Sequence, residues 1–405
     1  MGKAGRKRVE ELYDWEKNVD TMEKLYEEVR VKKSERKRCI FHIPNYIDPN
    51  SKSGSSLRPK KMIQGFKENG YIVDCVMGYG KERKIQIEHI KDNIRKGVKY
   101  DFLYAESSTM PTLLTEKNHV PRYPMLDFKF FKFCKAHNIR IGLFYRDIQW
   151  KFSVYKDNVS WYKKCISIPF YRYDLLQYKN LLDTFYLPTD EMKKYLTEND
   201  KLLKKTKILM PGCEDDKELL VKTEKIDLPL KPLKILYVGG IDRIYDLKIF
   251  VETVSQMREE VEVYICCREN EWKTSKGLYE PFMGENIKII HKSGKELDDY
   301  YEKTDLCCAF AGVGEYMKMA MPVKIFEYLG KTIPIVATKG TAAGEFVENS
   351  GIGWSINYDI QSLKKCLKNI IQNPQVLEEK RKRELEIKSC HTWKARAHQV
   401  IEDLR

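Results

Sequence analysis

The sequence predicts an α/β protein with two doubly wound, Rossmann-like domains that face each other across a cleft, preceded by a helical extension. The chain has 405 residues, which is more than one hydrophobic core usually holds and about right for two such domains. Short apolar runs alternate with charged helical segments over residues 39–390, a pattern typical of βαβ units. The runs contain Ile, Leu, Val and Cys without polar alternation, which indicates parallel strands buried on both faces.

Residues 1–38 are predicted to form the helical extension. They are dense in charge, yet six apolar residues recur near helical spacing: Val9, Leu12, Val19, Met22, Tyr26 and Val29. The basic ends of this segment suit phospholipid headgroups. The alternative, which we favour, is a helix that packs on its own domain or in a dimer.

The first domain is predicted over residues 39–213. Its strands are expected at residues 39–44, 71–79, 100–107, 139–145, 184–188 and 208–213, and its helices near residues 59–69, 85–97, 127–137 and 159–180. Residues 214–231 are polar and bounded by prolines, which is the composition of an interdomain linker.

The second domain is predicted over residues 232–390. Its strands are expected at residues 233–241, 261–267, 287–294, 305–312, 333–338 and 351–356, and its helices near residues 245–257, 274–282, 295–303, 322–330 and 343–349. Doubly wound sheets bind ligands at the carboxyl ends of their strands. Two facing sheets therefore predict an active cleft between the domains.

Composition narrows the classes of function. The formal net charge of +14 suits a partner with phosphate groups or an anionic membrane surface. The eleven cysteines form no CxxC pair, so neither a metal site nor a disulfide framework is expected. The charged amino terminus and the absence of a long uncharged run predict a cytoplasmic protein that at most touches a membrane. Only the net charge favours nucleic-acid binding, and no motif of that kind occurs.

Residues 320–354 hold the most informative pattern in the chain. Pro322 suits the first turn of a helix, whose free amides would bind a diphosphate. Lys324 lies in the same turn, where the helix dipole disfavours a cation, so an anionic ligand is expected beside it. Glu327 follows on the same helical face, where a carboxylate accepts hydrogen bonds from ribose hydroxyls. The alternative is a solvated Lys–Glu pair.

Residues 322–338, the glycine-containing turn after them and the segment from Glu345 resemble the donor-binding region of family-4 retaining glycosyltransferases. The resemblance implies a twin-Rossmann, GT-B type fold and a UDP- or GDP-sugar donor. It assigns the ribose contact to Glu327, the diphosphate to the helix start, and a donor contact to Thr341. The family's frequent second glutamate, eight residues earlier, is Met319 here.

Two further segments resemble donor-binding parts of the same family. Gly239 and Gly240 stand where the family opens its donor domain with a strand and turn, and glycines there let a phosphate approach the backbone. The basic residue that often follows the first glycine is missing, so Arg243 and Arg268 are the candidate contacts to phosphate or base. For Arg268 the alternative is an ion pair with Glu269 or Glu271.

In the first domain, the resemblance covers the loop between the first strand and the first helix. Gly54 frees the backbone, Ser55 offers an amide and a hydroxyl, and Arg58 precedes a proline at the expected helix start. A loop of this kind reaches donor phosphates across the cleft. The alternative is a flexible serine-rich loop.

Glu106, Arg146 and Asp147 follow directly on apolar runs, where open α/β sheets place their working groups. The segments that hold these residues, 103–111 and 142–152, resemble those of a bacterial branch of the family associated with capsule and cell-wall polysaccharides. Asp147 is expected to orient or deprotonate the acceptor hydroxyl, and Glu106 to bind the acceptor or sugar. A helix cap or an ion pair with Arg146 is the alternative for each carboxylate.

The sequence therefore predicts a glycosyltransferase that moves a hexosyl group from a nucleotide-sugar to a polysaccharide or glycolipid acceptor with retention. Arg58, Lys324 and helix amides would stabilise the leaving group, and neither a metal nor a cofactor is expected. Residues 391–405 resemble the family's closing helix, which braces the first domain. One alternative is a sugar-nucleotide epimerase. The other is a non-catalytic scaffold, which Met319 and the missing basic residue after Gly239 would favour.

Overall fold

The computed structural model describes residues 37–48, 54–215, 232–241 and 244–405, together with residues 2–4, 6, 8 and 18–24 near the amino terminus. Residues 18–24 are helical. Most of the predicted extension and of the predicted linker lies outside the described residues, so both remain predictions.

The first sheet contains six parallel strands. They are β1 (Arg38–His42), β2 (Ile72–Val76), β3 (Phe102–Glu106), β4 (Arg140–Phe144), β5 (Thr184–Leu187) and β6 (Thr206–Ile208). Their order across the sheet is β2-β1-β3-β4-β5-β6. Strand β2 is thus added on one side of β1 and the later strands on the other, which is the doubly wound arrangement.

Helices cover both faces of this sheet. They are α1 (Gly54–Glu68), α2 (Gly80–Arg95), α3 (Leu126–Ala136), α4 (Ser153–Asn158), α5 (Trp161–Leu181) and α6 (Asp200–Leu203). Alternate strand residues enter separate cores, with Leu103 on one face of the sheet and Tyr104 on the other. Both side chains are fully buried, because a parallel sheet between two helical layers has no solvent face.

The second sheet repeats this design. Its strands are β7 (Leu233–Val238), β8 (Val261–Cys266), β9 (Ile287–Ile290), β10 (Leu306–Ala309), β11 (Ile335–Thr338) and β12 (Gly353–Ile356), in the order β12-β11-β10-β7-β8-β9. Its helices are α7 (Lys248–Ser255), α8 (Glu269–Tyr279), α9 (Asp298–Lys303), α10 (Glu315–Met319), α11 (Val323–Lys331), α12 (Ala342–Ser350), α13 (Ile360–Gln372) and α14 (Gln375–Lys388). The predicted fold of two Rossmann-like domains is confirmed.

The last helix, α15 (Trp393–Leu404), returns to the first domain and packs on α1. Thr392 caps it by accepting a hydrogen bond from the amide of Ala395. The close approach of the two helices needs a glycine, because a Cβ on Gly65 would lie 2.6 Å from the carbonyl oxygen of Trp393. The end of the chain is therefore tied to the first helix of the fold.

Several predicted boundaries were wrong, including the start of α2, which is Gly80 rather than near residue 85. Helix α1 begins at Gly54 and contains Pro59, because its serine-rich first turns carry no apolar pattern and the proline was taken as the start. Helix α8 begins at Glu269 rather than near residue 274. Strand β6 ends at Ile208, and the Pro-Gly segment after it runs to Cys213, whose amide donates to the carbonyl of His391.

We expect Gly65→Ala to lower the free energy of unfolding by about 1–3 kcal/mol, because the added methyl forces α1 and α15 apart. Gly277→Ala in α8 is the matched control: nothing lies within 4 Å of its new Cβ, so it should stabilise the helix by about 0.5–1 kcal/mol. Chemical denaturation followed by circular dichroism measures both. Equal stability of the two variants would contradict the described packing of α15.

Candidate active site

The carboxyl ends of the two sheets face a common cavity of about 930 Å³. Its first wall includes Arg58, Thr109, Phe144, Arg146 and Asp147. Its second wall includes Gly239, Gly240, Arg268, Lys324 and Glu327. Most residues that the sequence singled out therefore line one cleft between the two sheets, where ligands bind in folds of this kind.

Arg58 is held rigidly on the first wall, with 3% of its surface exposed. Its guanidinium carbon lies 3.5 Å from the centre of the Phe144 ring, and its Nε lies 3.4 Å from Oε1 of Glu106. An aromatic face and a carboxylate both favour a planar cation. The guanidinium is therefore fixed at the edge of the cavity.

Glu106 has no exposed surface and does not line the cavity. Its Oε2 accepts a hydrogen bond of 2.9 Å from Arg146, and the hydroxyl of Tyr104 donates to its Oε1 at 3.1 Å. The predicted contact of Glu106 with acceptor or sugar does not fit this position. The ion pair with Arg146, which was the alternative, is present, and Glu106 holds Arg58 as well.

Lys324 on the second wall lies against two aromatic rings. Its Nζ is 3.9 Å from the centre of the Tyr237 ring and 4.8 Å from that of Tyr245. The lysine occupies the first turn of α11, next to Pro322, as predicted. The rings offset the unfavourable dipole at that end of the helix, and an anion in the cavity would do so further.

The turn after β7 positions the side chain of Lys324. Gly239 has φ of +151°, and a Cβ there would lie 3.2 Å from Nζ of Lys324. The hydroxyl of Tyr237 donates to the carbonyl of Gly240. The amide of Val238 donates to the hydroxyl of Tyr328 on α11 at 2.9 Å, which fixes the helix to the strand.

Glu327 lies one turn beyond Lys324 and borders the same cavity. Burial raises the pKa of Glu327, and Glu214 raises it further, whereas Lys324 and Lys331 lower it. Partial desolvation strengthens hydrogen bonds to a carboxylate. Glu327 is therefore placed to accept hydrogen bonds from a ligand that contacts Lys324.

The carboxylate of Asp147 accepts hydrogen bonds from both domains. The hydroxyl of Tyr316 on α10 donates to its Oδ2 at 2.7 Å, and the amide of Gln149 donates to its Oδ1 at 2.8 Å. Burial raises the pKa of Asp147, and these two hydrogen bonds oppose the rise. A carboxylate with a raised pKa suits a general base.

Helix α10 is the contact of the second domain with the first on this side of the cleft. Besides the Tyr316 contact, the hydroxyl of Thr189 donates to the carbonyl of Met319 at 2.6 Å. The hydroxyl of Tyr195 donates to Oε2 of Glu315 at 3.2 Å. Met319 is 2% exposed and packs in the core of the first domain, so it secures the contact between the domains.

Several predicted donor contacts are placed differently. Thr341 is 3% exposed and does not line the cavity; its hydroxyl caps α12 by accepting from the amide of Gly344 at 3.0 Å. Arg268 borders the cavity but pairs with Glu271, which was its alternative. Gly54 and Ser55 form the start of α1, whereas Arg243 lies outside the described residues, and their roles remain predictions.

Tyr237, Tyr245 and Tyr316 belong to the site but were missed. Tyr237 stands within an apolar run that predicts a strand, and nothing in that pattern indicates that its ring supports Lys324. Tyr316 stands in a short segment without periodicity, and its partner Asp147 lies 169 residues away in the chain. A contact of that separation follows from how the two domains pack.

Among the residues that the structure describes, no group of three or more His, Cys, Asp or Glu is arranged to hold a metal ion. Within the same part of the chain, no helix is both long and apolar enough to cross a membrane.

Residues 232–373 match the sequence profile of the family described as Glycosyl transferases group 1. The match covers most of the second domain, including the turn after β7 and helix α11 with Lys324 and Glu327. With the twin-Rossmann fold, it defines the class of the protein: the chain is a glycosyltransferase with the GT-B architecture. No curated protein matches the sequence.

Solved structures share the fold at low sequence identity. Anabaena Alr3699/HepE in complex with UDP and glucose is 12% identical over 90% of this chain and 99% of that chain, with a TM-score of 0.60. A glycosyltransferase from Rickettsia africae is 14% identical over 90% and 97% of the two chains, with a TM-score of 0.60. WaaG, a glycosyltransferase involved in lipopolysaccharide biosynthesis, is 11% identical over 90% and 99%, with a TM-score of 0.57.

We expect Tyr316→Phe to shift the acid limb of the pH–activity profile upward by about one to two units, since a hydrogen bond to a charged group contributes roughly 1.5–3 kcal/mol. The lost hydrogen bond lowered the pKa of Asp147, so this carboxylate would ionise only at higher pH in the variant. The measurement is kcat/KM for donor turnover between acid and neutral pH.

Tyr195→Phe is the matched control, because it removes a hydroxyl from the same interdomain contact without touching Asp147. It should leave the acid limb in place. If both variants shift the profile equally, domain packing rather than Asp147 sets the pH dependence.

Proposed function

We propose that this glycosyltransferase moves a hexosyl group from a nucleoside diphosphate sugar to a polysaccharide or glycolipid acceptor, with retention, in the biosynthesis of cell-surface glycans. The observation that carries the proposal is the pair of cations on opposite walls of one cleft. Arg58 and Lys324 border the same cavity, and the carboxylate of Glu327 lies beside Lys324. A ligand with a diphosphate next to a ribose satisfies all three groups.

The donor is proposed to bind mainly on the second wall. The diphosphate would lie before α11, where the helix amides, the helix dipole and Lys324 all favour negative charge. The ribose hydroxyls would donate to Glu327. Gly239 leaves room for a phosphate beside Lys324, because any side chain there would meet the lysine.

Arg58 would reach the diphosphate from the opposite wall. As the bond between sugar and diphosphate breaks, negative charge grows on the leaving phosphate, and fixed cations lower the energy of that state. Because Phe144 and Glu106 already hold the guanidinium, little reorganisation accompanies the reaction. Neither a metal ion nor a cofactor has a part in this proposal.

The acceptor is proposed to approach from the first wall, where Arg146 and Asp147 border the cavity. Asp147 would orient or deprotonate the acceptor hydroxyl, which would attack on the face from which the diphosphate departs. The raised pKa of Asp147 favours proton uptake by this carboxylate. Arg146, paired to Glu106, would keep the neighbouring acceptor oxygens in place.

UDP is the nucleotide to test first. The structurally similar Anabaena protein was solved with UDP and glucose, and the sequence resemblance to family 4 implies a UDP- or GDP-sugar. We also propose that the enzyme works in the cytoplasm with peripheral contact to the membrane. The eleven cysteines are all free, which suits a reducing compartment.

Calorimetric titration with UDP and GDP tests the donor site. We expect saturable binding of one nucleotide, and a loss of about ten- to a hundredfold in affinity for Glu327→Ala, as hydrogen bonds to a charged group imply. Burial raises the pKa of Glu327, so this carboxylate is protonated at a higher pH than an ordinary glutamate. The affinity of the wild type for the nucleotide should therefore begin to fall at that higher pH on acidification.

Glu348→Ala provides the matched control for this titration, since Glu348 is an exposed carboxylate on the neighbouring helix α12. Its affinity should equal that of the wild type. Absence of binding to both nucleotides would contradict the proposed donor site and favour a non-catalytic scaffold. Equal binding by Glu327→Ala would contradict the proposed ribose contact.

A further inference from the structure

Helix α5 is apolar on two opposite faces. One face buries Tyr171, Leu175, Tyr178 and Leu181 against the first sheet. On the other face, Tyr162, Ile166 and Leu176 are 53%, 53% and 54% exposed, and Trp161 at the start of the helix is 73% exposed. An apolar helix face is normally covered by other parts of a protein or by a partner. Within the described chain, nothing covers this second face.

We name Trp161, Tyr162, Ile166 and Leu176 the α5 surface. Its members face one side of the helix. The rings of Trp161 and Tyr162 meet edge to face at 6.2 Å, Ile166 lies one turn beyond Tyr162, and Leu176 lies ten residues further along. Other large exposed side chains, such as Ile85 and Leu278 at 66% each, stand on separate helices, as isolated apolar residues do on ordinary surfaces. Several large apolar side chains exposed on one side of a helix are typical of an interaction site.

Basic side chains outnumber acidic ones in the segment that holds the α5 surface. Residues 151–179 contain six basic side chains, Lys151, Lys156, Lys163, Lys164, Arg172 and Lys179, and two acidic ones, Asp157 and Asp174. Glu198, outside this segment, neutralises Lys151 by an ion pair and lies near Arg172. Asp174 is 4% exposed and so contributes nothing to the surface. Trp and Tyr beside Lys and Arg are the combination that settles at a lipid–water boundary.

From these observations we infer that the α5 surface docks the enzyme on an anionic phospholipid membrane. Trp161, Tyr162 and Ile166 would enter the headgroup layer, while Lys163 and Arg172 meet lipid phosphates. A second copy of the chain fits less well, because a two-fold contact would bring like charges together.

The inference rests on the proposed function in one respect: it gives a lipid-linked acceptor a route to the cleft. The buried face of α5 builds the acceptor wall, since the hydroxyl of Tyr171 donates to the carbonyl of Thr109 at 2.6 Å, and Thr109 lines the cavity. Trp150, three residues after Asp147, stacks on Tyr171 at 5.3 Å. One helix therefore joins the docking surface to the predicted catalytic wall.

Vesicle sedimentation of the full-length chain tests the docking surface. With phosphatidylcholine vesicles that contain about one third phosphatidylglycerol, we expect binding at least about tenfold stronger than with phosphatidylcholine alone. The variant Trp161→Ser, Tyr162→Ser, Ile166→Ser should lose about tenfold or more of this binding. Lys163→Glu with Arg172→Glu should abolish the preference for anionic lipid.

The matched control is Ile85→Ser with Leu278→Ser, which removes two equally exposed apolar side chains from other helices and should bind as the wild type does. Calorimetry with UDP on every variant separates the two proposals: vesicle binding without UDP binding would sink the donor site alone, and unchanged UDP binding shows that the variants fold.

Two results would overturn the docking surface. One is vesicle binding by the triple variant equal to that of the wild type, which would assign any membrane contact to another part of the chain. The other is a wild-type dimer in light scattering that the triple variant converts to monomers, which would mean that a second copy covers the α5 surface.

Discussion

The fully buried carboxylate of Glu106 allows the first wall of the cleft to hold two positively charged arginines. An isolated buried charge costs several kcal/mol, and pairing with hydrogen bonding offsets that cost. Glu106 pairs with both Arg58 and Arg146, so two guanidinium groups can stand at the edge of the cavity. The carboxylate ends β3, which places it below the cavity and directs both cations toward the second domain.

The second wall places a positive charge, that of Lys324, at the amino-terminal end of α11, where the helix dipole is unfavourable for a cation. Lys324 is stabilised there by Tyr237 and Tyr245, which leave room in the cavity for an anion. Both walls are thus ordered by groups of the protein itself, and α10 holds them at a fixed distance through Tyr316 and Met319. Electrostatic stabilisation of a leaving phosphate depends on such preorganisation.

The fold could be predicted from the sequence because buried parallel strands leave continuous apolar runs, and all twelve strands lie within or next to the expected segments. Lys324 and Glu327 on the second wall could be predicted because they follow one another on a single helix, α11. The roles of Glu106 and Thr341 could not be predicted. A carboxylate at a strand end, or a threonine at a helix start, can bind a ligand or a neighbouring group of the protein equally well. Tyr316 reaches Asp147 only through the packing of the two domains.

The most direct measurement is a crystal structure of the chain with UDP. We expect the diphosphate in front of the first turn of α11, within hydrogen-bond distance of Lys324 Nζ, and the ribose hydroxyls donating to Glu327. The guanidinium of Arg58 should face the same diphosphate from the opposite wall. UDP bound elsewhere, or in this cleft without contact to either Lys324 or Glu327, would contradict the account of the donor site.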